Sequence, residues 1–237
     1  MSLLFTPFTF DAPSGPLTLP NRIVIAPMCQ YSAIDGLAND WHLTHWTNLL
    51  NSGAGMLTIE ATAVSPEGRI SPGCLGLWDE VTAQALGEHL NRARQQAPHV
   101  PVCVQLGHAG RKASSAAPWH GGMLIAPQDG GWQPLAPSAR PHLPQEAAPT
   151  ELSLADIAQI QQDFMSAAQR AQAIGIEAIE LHAAHGYLMH QFLSPLSNQR
   201  SDAYGGSFEN RIRFVIETFQ KVRTVFGGTL GVRISGT

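Results

Sequence analysis

The sequence predicts an α/β fold built on a parallel sheet. Five short, almost continuous apolar runs recur along the chain, as expected of strands covered on both faces. Amphipathic helical patterns separate them, giving the order β-α-β-α-β-α-β-α-β. No GxGxxG follows the first run, which counts against a dinucleotide-binding Rossmann arrangement.

The elements follow in chain order. FTFDAPSGPLTL has apolar ends around a Pro/Gly turn and predicts a short hairpin over about 8–19. The first strand is expected at 23–26, a weaker helix at roughly 41–51, and the second strand at 55–61 (GMLTIEA). Another weak helical pattern covers roughly 81–97, ahead of a third strand at 100–106 (VPVCVQL). Leu154, Ile157, Ile160, Phe164, Ala168, Ala171 and Ile174 then share one helical face. Ser153 with Asp156 reads as the cap at its start, and Gly175 stands where a left-handed residue ends a helix. A fourth strand is expected at 178–182 (AIELH). After it, Phe208, Ile212, Val215, Phe219, Val222 and Phe226 repeat the helical spacing, from Ser207 to a closing Gly227. The fifth strand is 230–234 (LGVRI), and the Pro-, Gly- and Ser-rich stretches 62–80 and 107–152 read as long functional loops. No linker, repeat or charge block divides the chain.

Composition narrows the function. Of the 237 residues 14% are charged and 44% hydrophobic, with a formal net charge of −4. That balance offers no electrostatic case for binding nucleic acid or an anionic membrane. Gly 22 and Pro 17 together fall below the low-complexity range of roughly 25–30%. The start MSLLFTPFTF has no basic segment and reaches Pro7 early, unlike a signal peptide, and no apolar run is long enough to span a bilayer. Three cysteines without metal spacing argue against a disulfide framework and for a reducing, cytoplasmic compartment.

In a parallel α/β fold, ligands sit at the carboxyl ends of the strands. The first strand runs into Pro27, Met28, Cys29, Gln30 and Tyr31, and the second ends near Glu60, Ala61 and Thr62. The third delivers Gln105, His108, Arg111 and Lys112, the fourth His182, His185 and Tyr187, and the fifth Arg233. Each also has a plainer reading. Cys29 alone reads first as a small buried hydrophobe. Gln105 within an apolar strand needs a polar partner, from a ligand or from the protein. Arg233 needs an anion or several acceptors, and a ligand is preferred to a structural ion pair. His182 and His185 could be a metal site, a satisfied core pair or a substrate clamp. Metal is the weakest of these, because neither an HExxH nor a His-x-His completes a hydrolase-type site. Two imidazoles and a phenol at one strand end suit donors to a carbonyl or nitro oxygen together with a proton source. Trp119 and Trp132 wall a pocket or anchor the loop; SDAYGGSFENR reads as structural pairing, and His42 as a surface or packing residue.

The strings NRIVIAPMCQY, EATAVSPEGR, QLGHAGRKA, ELHAAHGYLMHQFLSPLSNQRSDAYGGSFENR and GVRIS, in this order, resemble the Old Yellow Enzyme family of flavin-dependent ene-reductases. Cys29, HAAHGY and HAGRKA are similar to its bacterial cysteine-containing subclass, which includes xenobiotic reductases. The resemblance runs from about Phe5 to the last residue. It implies an eight-stranded TIM-type (β/α)8 barrel, of which this chain supplies about the first five strands and four helices, as the N-terminal portion of a single FMN-binding domain.

It further implies non-covalent FMN held by Pro27, Met28, Cys29, Ala61, Gln105 and Arg233, with the guanidinium facing the part of the ring that turns negative on reduction. Cys29 would tune the flavin and shape the pocket. His182 and His185, aided by Tyr31, would bind the oxygen of an α,β-unsaturated carbonyl or nitro compound. Hydride would pass from flavin N5 to the β-carbon, with Tyr187 protonating the α-carbon. NADPH or NADH would reduce the flavin first, in ping-pong order. Strands six to eight, which in the family complete the phosphate site, are not among these residues. The implied partner is a complementing C-terminal chain or further copies in a homo-oligomer. Two other readings are kept open: a catalytically silent partial barrel serving as an assembly module, and a metal-dependent barrel hydrolase.

Overall fold

Apolar residues alternate between two cores because the strands bury both faces. The computed structural model describes residues 2–236. After a hairpin of β1 (Phe8–Phe10) and β2 (Leu17–Leu19) come β3 (Val24–Ile25), α1 (Asp40–Leu50), β4 (Met56–Ala63), α2 (Glu80–Arg94) and β5 (Val102–Gly107). A long excursion carries the short parallel pair β6 (Leu135–Ala136) and β7 (Thr150–Glu151). Then follow α3 (Leu154–Ala173), β8 (Ala178–Ala183), α4 (Leu188–Leu193), α5 (Phe208–Val225) and β9 (Thr229–Ile234). Strands β3-β4-β5-β8-β9 pair in parallel in that order and form half of a TIM-type barrel, with β3 and β9 at its two edges.

One side of each strand faces the helices. Val102, Val104 and Leu106 pack there with Ile179 and Leu181, against Trp46 and Leu50 of α1, Leu86 and Leu90 of α2, Phe164 of α3 and Phe214 of α5. The other side looks into the barrel, where Met56, Cys103 and Ala178 form an apolar floor closed by Leu19, Phe10 and Leu17 of the hairpin. Above that floor the inward positions turn polar, with Thr58, Glu60, Gln105 and His182 all buried. A dry floor beneath a polar upper layer places the chemistry at the carboxyl ends of the strands.

Local signals set the helix limits. Ser153 Oγ accepts from Asp156 N while the Asp156 carboxylate takes Ser153 N, a reciprocal cap. At the far end of α3, Gly175 has φ +79°. Ile176 N donates to Ala171 O and Gly175 N to Gln172 O, which satisfies the last carbonyls.

Four expectations need correction. Helix α4 was missing from the four-helix count; its HAAHGYLMHQF surroundings hold no cap signal, since Tyr187 caps without a side-chain bond. Leu154 and Phe208 are exposed rather than core residues. Each is the first residue of its helix, so its side chain projects back past the packed stripe. Gly227 does not end α5 through a left-handed turn. The chain leaves through an extended Phe226, and Arg223 Nη1 donates to the carbonyls of Phe226 and Gly228 instead. Finally, 62–80 is not all loop: β4 continues to Ala63, and Leu75 and Leu77 return to bond its backbone and bury fully.

Candidate active site

The loop after β3 is fixed from below. Gln30 N donates to Glu60 Oε2 at 2.7 Å, and the Gln30 side-chain amide donates to Met28 O at 2.8 Å. Tyr31 adopts φ +52°, a left-handed conformation that costs a bulky residue energy and persists because its neighbours enforce it. The turn so formed projects Pro27, Met28, Cys29 and Tyr31 over the mouth of the half-barrel. These four line one open cavity of about 170 Å³ with Ala61, Ile70, Gln105, His182, His185 and Tyr187. Residues from four strand ends thus meet in one place.

His182, next to last in β8, is 3% exposed. Ala184 N donates to its Nδ1 at 3.2 Å, so the neutral ring carries its proton on Nε2. Burial, reinforced by His185, Arg233 and Lys112, lowers its pKa to about 3. The imidazole is therefore a neutral hydrogen-bond donor at any physiological pH. His185 and Tyr187 stand edge-on to it, with ring centroids at 5.0 and 4.8 Å. His185 itself is held at φ +57°. Lys112 donates to His185 O at 3.0 Å and lies 4.9 Å from the Tyr187 ring centre. Burial pushes the Tyr187 phenol far above its ordinary range and that of Tyr31 to about 12. Both phenols keep their protons and can donate.

Arg233 does not line this cavity. Its Nη1 lies 3.4 Å from Glu180 Oε1, and its side chain is 34% exposed, so the ion-pair reading set aside on sequence grounds holds for part of the guanidinium. The same Glu180 oxygen accepts from Gln105 Nε2 at 2.6 Å. Glu180 thus links β5 to β9 and orients both polar groups assigned to the cofactor. Sequence reasoning missed it, although a carboxylate inside the apolar run AIELH was the available signal.

Two further groups matter to the site. His42, read from the sequence as a surface or packing residue, is wholly buried, with Nε2 3.6 Å from Glu60 Oε1. Asn39 N donates to its Nδ1, so the Nε2 proton faces the carboxyl. Burial lowers His42 to about 4 and raises Glu60 to about 8, which leaves both neutral near pH 7 rather than an ion pair. Gln191, 1% exposed, donates to Ala109 O and Gly186 O and accepts from Arg111 N, tying the loop that carries Lys112 to the loop that carries His185.

The remaining sequence candidates do not line the open cavity. Trp119 is exposed and edge-on to Tyr31 at 5.3 Å, while Trp132 anchors its loop by donating to Glu67 O. His108 is buried, its Nδ1 accepting from Gly110 N. The SDAYGG turn is structural: Asp202 pairs with Arg200 and accepts from Tyr204 N. Among the described residues no group of three or more His, Cys, Asp or Glu could hold a metal ion, and no helix is long and apolar enough to cross a membrane.

The donor set matches a flavin in kind. Gln105 and Arg233 provide an amide and a fixed cation, the Pro27–Cys29 backbone provides carbonyls and N–H groups, and Ala61 leaves room for a flat ring. Comparison with known proteins agrees. An NADH:flavin oxidoreductase of Gibberella zeae is 46% identical over 243 residues, covering 99% of this chain and 57% of the relative. The NADPH dehydrogenase of Bacillus subtilis is 39% identical over 236 residues, covering 99% and 64%. Among solved structures, morphinone reductase in complex with tetrahydroNAD superposes with a TM-score of 0.81 at 29% identity, over 99% of this chain and 64% of that one. Old Yellow Enzyme from Pichia sp. AKU4542 does so at 0.83 and 26%, over 98% and 59%. The chain spans 57% to 64% of the length of these relatives. The family described as NADH:flavin oxidoreductase / NADH oxidase matches residues 3–237, and the chain belongs to it.

Proposed function

We propose that this chain forms the substrate-facing part of an FMN-dependent NAD(P)H oxidoreductase that reduces activated C=C bonds (enones, enals, maleimides, nitroalkenes) or nitro compounds. The observation that carries the reading is the neutral His182 with its Nε2 proton, beside His185, Tyr187 and Tyr31 in one cavity. Pro27, Met28, Cys29, Ala61, Gln105 and Arg233 would hold FMN, which when bound supplies hydride transfer from the nicotinamide to the acceptor. His182 and His185 donate to the acceptor oxygen and draw electron density from its conjugated bond. An imidazole held neutral adds no full charge to the pocket, so it stabilises developing negative charge without binding anions indiscriminately. Tyr187 retains its proton until a carbanion-like carbon forms beside it, then delivers it. Lys112, against the ring and on His185 O, holds these two residues together.

Residues 1–237 are read here as the N-terminal portion of one FMN-binding barrel. The chain spans 57% to 64% of its relatives and β3 and β9 stand at the edges of its sheet, which supports a barrel closed by further polypeptide, from the same protein, from a complementing chain or from further copies. A catalytically silent assembly module is the competing reading. Gel filtration after incubation with FMN separates the two. Flavin absorbance that travels with the closed assembly and bleaches with NADPH or NADH supports the oxidoreductase; a colourless assembly supports the module.

A further inference from the structure

One carboxylate stands between the amide and the cation assigned to the cofactor. Glu180 pairs with Gln105 on β5 and with Gly231 on β9, and it lies two residues before His182 on the same face of β8. Gly231 has no side chain, and a Cβ there would meet nothing within 4 Å. Arg233, two residues further along that face of β9, leans back across the gap and brings Nη1 to 3.4 Å from Glu180 Oε1. Among the described residues this is its one side-chain partner, so Nε and Nη2 stay free to meet a ligand. A carboxylate only accepts, so the 2.6 Å bond to the same oxygen fixes the Gln105 amide with Nε2 toward Glu180 and its oxygen turned away.

We propose that Glu180 is a positioning residue that sets the reduction potential of the bound flavin, by orienting Gln105 and offsetting the Arg233 cation, given FMN held by those two residues as proposed above. Reduction adds negative charge to the ring. An unopposed guanidinium favours the reduced form, and a carboxylate paired to that guanidinium tempers the preference. The Glu180 and Arg233 side chains are 25% and 34% exposed, so water screens the pair in part without cancelling it. Both charges register on their neighbours. After burial, Glu180 helps push the Cys103 thiol up, and after burial and His185, Arg233 helps hold His182 down. Without Glu180 the site would be easier for NAD(P)H to reduce and slower to pass hydride to an acceptor.

Glu180→Gln keeps the length of the side chain and an acceptor for Gln105 Nε2 while deleting the charge. The closed, FMN-loaded assembly is titrated against a redox dye, and its urea midpoint is measured alongside. The expected result is an equilibrium shifted about tenfold toward reduced flavin, ~30 mV for a two-electron couple, at a urea midpoint near the native value. Glu180→Asp retains the charge and should stay close to the native potential. In an Arg233→Gln background no ion pair is left to break, so replacing Glu180 by Gln there should raise the potential again; this second comparison holds even if the single variant folds poorly. A potential that stays put while the urea midpoint falls would make Glu180 a brace between strands and overturn the proposal. Equal rises for the Gln and Asp variants would overturn it too. An assembly that takes up no flavin sinks the proposed activity and this role together, whereas a yellow assembly with an unmoved potential sinks this role alone.

Discussion

Gln105 donates to Glu180 Oε1 at 2.6 Å from the directly paired position on the neighbouring strand, and Arg233 reaches the same oxygen from the next strand at 3.4 Å. One carboxylate therefore sets the direction of the amide and the cation on which the cofactor assignment rests. Glu180→Ala leaves the 3%-exposed Gln105 amide without its acceptor. The expected cost is about 2 kcal/mol, seen as a lower urea midpoint at unchanged slope. An unaltered midpoint would show that the amide finds another partner.

His182→Ala removes the Nε2 donor while leaving Gln105 and Arg233 in place. Binding of phenolic ligands should weaken, and the acceptor half-reaction should slow by roughly tenfold or more, with flavin reduction affected less. Equal phenol affinity in variant and native protein would count against the clamp. Tyr187→Phe should slow turnover of those acceptors whose α-carbon solvent cannot reach. Full activity with every acceptor would assign the proton to another donor.

Stability should peak near neutral pH. His182, His42 and His108 titrate at about 3, 4 and 4 when folded, against 6.5 when unfolded. Above 6.5 these histidines are unprotonated in both states and their contribution to stability is complete. As pH falls below that value the unfolded chain takes up protons that the folded chain refuses, costing about 1.4 kcal/mol per pH unit per group until the folded pKa is reached. Glu60 works in the opposite sense. Its folded value of about 8 against 4.5 means that stability declines as pH rises between the two. Urea midpoints measured from pH 4 to 9 should trace both limbs, and Glu60→Gln should flatten the alkaline one. A Gln variant with an undiminished alkaline decline would place that titration elsewhere.

Gln191→Leu strips three backbone groups of their partner at a buried junction. A loss of about 3 kcal/mol is expected, with proteolysis of the 107–112 and 184–187 loops accelerating first. Uniform acceleration over the whole chain would mean that Gln191 supports global packing rather than this junction.

Much of the architecture was legible in the residues. The Ser153–Asp156 cap, Gly175 and the 3- and 4-residue spacing from Ile157 to Ala171 are local patterns, and local patterns survive into the fold because neighbours along the chain remain neighbours in space. Positions at strand ends were legible for the same reason: the end of an apolar run is the end of a strand, so Cys29, Tyr31, Gln105, His182, His185 and Tyr187 could be gathered before any contact was known. Helix α4 was not, since nothing in its six residues separates it from a loop.

The chain's apolar periodicity sufficed to specify a parallel α/β sheet with its polar side chains at one end. Which of those side chains bond to one another was settled by folding. Glu180 lies 75 residues from Gln105, Gln191 lies 82 from Ala109, and His42 meets Glu60 across a helix and a turn. Such pairings follow from strand adjacency and register. Those depend on how all the helices pack at once, so no short window of sequence contains them.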